Sequence, residues 1–194
     1  NLYVNKEYAY SLFMQFKYDE AIPLYEKLIA QGFDNFESNF ILGLCYEDQP
    51  DNEKALKHYQ KAVQFKSDNA TCLFHLALAE KALNMDSLSM AHFNQSLEVS
   101  LPKGRALRTY KWLADLHFQH SRYADAARDF ELCTLYDEED NPLNHYNAAQ
   151  MFIASKNKLK AKQHLQMFLA NANRLEDKKE AAQLISKAKE QLKQ

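Results

Sequence analysis

Along the chain, small residues recur at a fixed interval, each followed by large apolar residues at helical spacing. Ala21, Ala55 and Ser89 lie 34 positions apart; Tyr25, Tyr59 and Phe93 follow four positions on, and Leu28, Ala62 and Ser96 three after those. After a short insertion near Pro102-Lys103-Gly104 the frame resumes as Ala126, Phe130 and Cys133, then as Ala161, Leu165 and Phe168. Positions i, i+4 and i+7 share one face of a helix. Twelve residues ahead of each small residue stands another: Ala9, Gly43, Ala77, Ala114 and Ala149, four of them preceded by Tyr8, Leu42, Leu76 and Leu113. Two helices approach closely only where side chains are small, and a neighbouring large residue fills the space alongside. The pattern predicts five hairpins, each a helix A, a short turn and a helix B.

The breaks agree with that frame. Gln49-Pro50-Asp51-Asn52 and Asn84-Met85-Asp86-Ser87 interrupt hairpins, while Gly32-Phe33-Asp34-Asn35, Ser67-Asp68-Asn69, Leu101-Pro102-Lys103-Gly104 and Asp140-Asn141-Pro142 separate them. Asn141 is suited to cap a helix whose first residue is Pro142, and Pro23 is expected near the start of its helix, where a missing N–H costs little. Beyond the fifth hairpin, Leu175, Ala181, Ala182, Leu184, Ile185, Ala188 and Leu192 form an apolar stripe among Lys, Glu and Gln. A helix with one polar face closes the open side of a terminal repeat. No equivalent cap precedes Leu2, which reads as a piece of a longer array.

This register resembles the tetratricopeptide repeat family over nearly the whole chain. Leu42-Gly43, Tyr46, Ala55, Tyr59 and Ala62 carry the best match; the third repeat departs at Glu80, where an aromatic is usual, and the fifth at Ala148 and Phe168. The resemblance implies an all-α, right-handed α-solenoid of about five tetratricopeptide helical hairpins plus a C-terminal capping helix. The repeats run over about 2–35, 36–69, 70–106, 107–141 and 142–174, and the cap over 175–194. It also implies that A helices line a concave groove. The groove places are Tyr3, Lys6, Tyr10 and Phe13; Glu37, Phe40, Leu44 and Glu47; Thr71, Phe74, Leu78 and Lys81; Arg108, Lys111, Asp115 and Phe118; and Leu143, Tyr146, Gln150 and Ile153.

Partner contact is expected chiefly from Tyr3, Lys6, Tyr10, Phe13, Phe40, Leu44, Phe74, Leu78, Arg108, Lys111, Phe118 and Tyr146, since exposed aromatic clusters usually mark contact surfaces. On that reading, Phe40→Ala with Phe74→Ala abolishes partner capture and leaves folding nearly intact. The alternative is that these residues bury one another, or that a missing N-terminal segment fills the groove. Some members of the family hold a C-terminal carboxylate in a Lys/Asn clamp. Lys6 matches its first place, but Tyr10, Ile41, Thr71 and His75 do not reproduce the amide-rich remainder.

Composition narrows the chemistry. Three Gly and four Pro in 194 residues leave little material for tight turns or phosphate-cradling loops. Net charge is −2, but from Ser155 onward ten Lys and Arg face four Asp and Glu. That end reads as a solvated basic face or as a dock for an acidic partner. Cys45, Cys72 and Cys133 have no CxxC spacing and sit in helical apolar patterns; free buried thiols favour a reducing, cytoplasmic setting. The chain starts at Asn1 without Met, so a periplasmic or exported location after removal of a signal segment stays open.

His58, His92 and His164 occupy one repeat place each, too far apart to share a metal. His117 and His120 with Asp115 nearby form a weak ligand pair. No P-loop, GxGxxG or GxSxG is present. The Lys-rich end lacks interleaved aromatics for stacking bases. The expectation is a non-catalytic interaction scaffold or adaptor without cofactor, metal, nucleic acid or membrane insertion, binding a peptide or helix of another protein. A self-associating segment of a longer repeat protein, a homo-oligomer or member of a larger assembly, and a substrate-recruiting domain of a larger enzyme are the alternatives.

Overall fold

The computed structural model describes residues 2–193. Among them stand eleven α-helices and no strand. They are α1 (Leu2–Met14), α2 (Tyr18–Ala30), α3 (Phe36–Asp48), α4 (Asn52–Phe65), α5 (Ala70–Ala82), α6 (Asp86–Glu98), α7 (Lys103–Gln119), α8 (Tyr123–Tyr136), α9 (Pro142–Ala154), α10 (Lys158–Asn171) and α11 (Lys178–Gln191). The first ten pair as five consecutive hairpins, and a 3-10 turn, Ala172–Arg174, leads toward α11. The helices fall into two compact units, Asn1–Leu101 with three hairpins and Pro102–Gln194 with two hairpins and α11.

Helix starts follow local chemistry. Asn35, Asp51, Asn69, Asn141, Asn157 and Asp177 each turn a side-chain oxygen onto an orphan N–H of the first turn. Asn141 with Pro142 matches the sequence expectation. Helix A ends the same way in all five hairpins, by a bond from the residue three past the helix to a carbonyl five back: Lys17 to Leu12, Asp51 to Tyr46, Met85 to Glu80, Arg122 to His117 and Asn157 to Phe152. In four of them the preceding residue is left-handed: Phe16, Asn84, Ser121 and Lys156, with φ between 57° and 63°. This is the Schellman closure, which satisfies carbonyls at a helix end.

The small-residue rule sets the packing. Ala9, Ala77, Ala114 and Ala149 on A helices and Ala21, Ala55, Ser89 and Ala126 on B helices are fully buried. A methyl built on Gly43 would lie 2.9 Å from Tyr59 Cζ and nearer still to two other ring atoms, so only glycine admits that ring. The middle A helices of the first unit bury residues on several faces, seven in α3 and seven in α5. Their B partners bury one stripe, Ala55, Tyr59 and Ala62 in α4 and Ser89, Phe93 and Ser96 in α6. In the second unit Phe168, Leu165, Ala149, Ala172 and Ala188 form one core cluster, with Leu175, Leu184, Ile185 and Leu192 against it.

Four expectations need correcting. Lys103 and Gly104 are not a turn but the first residues of α7, which is 17 residues long because Pro102 can end an extended segment and start a helix. Pro23 lies inside α2, a full turn past its start, leaving the Asp19 carbonyl without its usual helical donor. Tyr8 is 56% exposed, unlike Leu42, Leu76 and Leu113, because no described helix lies against that side of α1. Ala182 is exposed too, outside the buried stripe of α11.

Candidate protein-docking face

In the first unit, α1, α3 and α5 carry one row of the expected contact residues. Tyr3 is 70% exposed and Tyr10 40% exposed. Phe13, Phe40 and Leu44 are half-buried, with one side against the core, and Leu78 is half-buried as well. Tyr10 meets Phe13 at 6.2 Å between ring centroids, and Phe40 meets Phe36 at 5.5 Å and Tyr59 at 6.0 Å. Phe74 does not belong to this row. It is 1% exposed, packed on Phe93 at 5.9 Å, because the α5–α6 hairpin closes over it. The double substitution of Phe40 and Phe74 therefore opens the core, and its effect on binding cannot be separated from unfolding.

Polar links tie the A helices across that row. Lys6 of α1 and Glu37 of α3 form an ion pair of 2.7 Å, and this bond holds the Lys6 ammonium above its ordinary pKa. Glu47 of α3 accepts from the Tyr59 hydroxyl at 2.6 Å and from His75 of α5 at 2.9 Å. A carboxylate only accepts, so His75 carries its proton on Nδ1. Phe40 stands edge-on to His75 at 5.9 Å. Lys6–Glu37 thus joins α1 to α3, and Glu47–His75 joins α3 to α5.

The second unit distributes its expected residues differently. Arg108 and Lys111 of α7 are exposed, and Phe118 is 49% exposed beside Tyr123 at 6.1 Å. Tyr146 of α9 is half-buried on Phe168 at 5.0 Å. Gln150 exchanges paired amide bonds of 3.0 Å with Gln191 of α11.

Sequence reasoning missed a set of polar latches between helices A and B. His58 bonds Asn39 at 3.1 Å, His92 bonds Glu80 at 2.8 Å, Asp129 bonds His117 at 2.6 Å, and His164 bonds His145 at 3.0 Å. His58, His92, Asp129 and His164 hold the same repeat position. Each reaches an A-helix residue either four before or three after the small one of its repeat. The signal was present in Glu80, flagged as a departure without its partner twelve residues on. Burial lowers the pKa of His58, His145 and His164 and raises that of Asp129, the latter against the pull of His117. His117 is thus engaged by Asp129. Among the described residues no three His, Cys, Asp or Glu stand together in an arrangement that could hold a metal. Cys45, Cys72 and Cys133 are free and buried, and burial pushes each thiol up to about 12, far from a reactive thiolate. No described helix is long and apolar enough to cross a membrane.

Comparisons with known proteins agree with this geometry. The family model for anaphase-promoting complex, cyclosome, subunit 3 matches residues 14–86, less than half of the chain. DnaJ homolog subfamily C member 3 of Gallus gallus is 25% identical over 144 residues, a stretch covering 70% of this chain and 28% of that relative. Among structures, a MamA protein superposes with a TM-score of 0.74 at 13% identity, covering 90% of this chain and 95% of the other. YrrB, a TPR protein with an unusual peptide-binding site, superposes with a TM-score of 0.73 at 16% identity, covering 93% and 89%. Five hairpins in one register, closed alike and packed on small residues, give the chain a tetratricopeptide-type repeat fold, the fold it shares with these structures.

Proposed function

We propose that the chain is a non-catalytic protein-binding module that holds an extended peptide or a helix on the aromatic row of α1, α3 and α5. The carrying observation is that Tyr10, Phe13, Phe40, Leu44 and Leu78 are all at least partly open to solvent while Phe13, Phe40 and Leu44 pack against the core. A surface already fixed by its own packing loses little freedom on binding, so more of the contact energy appears as affinity. YrrB lends support as a peptide-binding protein of the same fold. Arg108, Lys111, Phe118 and Tyr146 are proposed as secondary contacts.

The test begins with peptides selected against the purified chain from a displayed library. Tyr10→Ser and Leu44→Arg are then measured for affinity and thermal midpoint. The proposal expects at least tenfold weaker binding, about 1.4 kcal/mol, with only a small change in the melting temperature. Unchanged affinity in both variants would place the site elsewhere. A second reading, self-association, rests on the other exposed apolar side of α1 with Val4 and Tyr8. Sedimentation of Tyr8→Ser against the parent chain separates it: a shift from dimer to monomer would favour that reading.

A further inference from the structure

The clefts of the second unit differ in charge. One, bounded by Arg174 and Leu175, includes Glu139, Glu176, Asp177 and Glu180; another, near Lys103 and Lys111, includes Asp137, Glu138 and Glu139. The third lies between the end of α9, the start of α10 and the end of α11, encloses about 450 Å3, and has no acidic side chain in its lining. Such a volume suits a small-ligand or side-chain site. Ile153, Ala161, Leu165 and Leu192 supply its apolar lining, and Lys156, Lys158 and Lys162 supply the charge.

Those three lysines are uncommitted. None forms an ion pair with a carboxylate among the described residues, whereas Lys160, in the same run, is held by Glu131 at 2.7 Å and lies over the Phe152 ring. Lys158 opens α10 and Lys162 follows one turn later on the same face, while Lys156 is presented by the left-handed turn residue. The Gln150–Gln191 amide pair fixes α11 against α9 and so keeps the cleft open at a set width.

We infer that this cleft docks an acidic segment of a partner protein, one or two large apolar residues entering between α10 and α11 while flanking carboxylates meet Lys156, Lys158 and Lys162. The site is separate from the aromatic row of α1, α3 and α5. Apolar lining alone would accept any hydrophobic side chain; the unopposed lysines select acidic flanks and speed their encounter. Among the described residues that line it, the cleft has no counter-charge for such a segment to displace.

The probe is a fluorescein-labelled hexapeptide amide with a leucine–phenylalanine pair between two glutamates on each side, followed by anisotropy at low salt. Saturable binding below about 1 mM is expected. It should weaken at least tenfold in Lys156→Glu/Lys158→Glu/Lys162→Glu and several-fold in Ile153→Ser. The charge reversal is compatible with folding, since Lys158 opens α10, where an acid is favoured by the helix dipole; circular dichroism and thermal melting check it. Lys179→Glu/Lys187→Glu/Lys189→Glu makes the same charge change elsewhere on the unit and should stay within about twofold of the parent. Equal loss in both triples would overturn the cleft in favour of diffuse basic attraction. So would unchanged affinity in the first triple, or no saturable binding. Dodecanoate displacing the peptide at lower concentration than the peptide itself would assign the cleft to a lipid instead.

Discussion

Tyr25 and Tyr59 hold the same place in consecutive repeats, and both are fully buried, yet their hydroxyls fare differently. Tyr59 donates to Glu47, whereas the Tyr25 hydroxyl has no partner among the described residues, because α1 carries Phe13 where α3 carries Glu47. A buried donor left unpaired costs about 1–3 kcal/mol. Tyr25→Phe should therefore stabilise the chain by about 1 kcal/mol, and Tyr59→Phe should destabilise it by a similar amount, both measured by urea unfolding. The histidine latches make a second residue-scale prediction. Burial depresses the pKa of His145 and His164, helped for His164 by the charges of His145 and Lys160 and opposed by Glu131; Asp140 opposes it for His145. A depressed histidine pKa means the unfolded chain binds the proton first. Stability is then full above the model-peptide value of about 6.5 and declines as pH falls through the folded pKa. The urea midpoint should fall between pH 7 and pH 5, and His164→Gln should flatten that fall.

At the scale of elements, the hairpins repeat a single device more faithfully than the residues suggest. The Schellman closure recurs in all five, but the left-handed residue is Phe16, Asn84, Ser121 or Lys156, and only asparagine among these favours that conformation. Ser121→Gly should stabilise by about 0.5–1 kcal/mol. Gly43→Ala goes the other way. The added methyl meets Tyr59, whose hydroxyl is anchored to Glu47, so overpacking of about 1–3 kcal/mol should outweigh the better helix propensity. Thermal melts of the two variants in parallel check both signs.

These elements also show what could be read from the chain in advance. The spacing of Ala9, Ala21, Gly43, Ala55, Ala77 and Ser89 carries the hairpins, because close helix contact leaves a strict record of small side chains. The docking row was legible only in part. Repeat position says which side of helix A a residue occupies, and not how far the neighbouring hairpin covers it. Phe40 and Phe74 share one position, yet Phe40 is half-open and Phe74 is core. The latches were hidden for another reason. Each joins residues on two helices, and a polar partner at one place makes sense only when the other is paired with it.

For the whole molecule, the fold is shared with proteins at 13% and 16% identity, so the backbone carries little information about what is bound. The chain spans 28% of its DnaJ-type relative, which leaves the activity of any longer protein to be established separately. The candidate determinants of binding lie on its surface: the proposed aromatic row of the first unit and, in the second, a lysine-bordered cleft whose described lining has no acid. The most direct measurement of the central claim is amide hydrogen exchange of the chain with and without a selected peptide. Slowed exchange confined to α1, α3 and α5, with α2, α4 and α6 unchanged, is the predicted footprint. Slowing on α2, α4 and α6 instead, or none in the first unit, would contradict it.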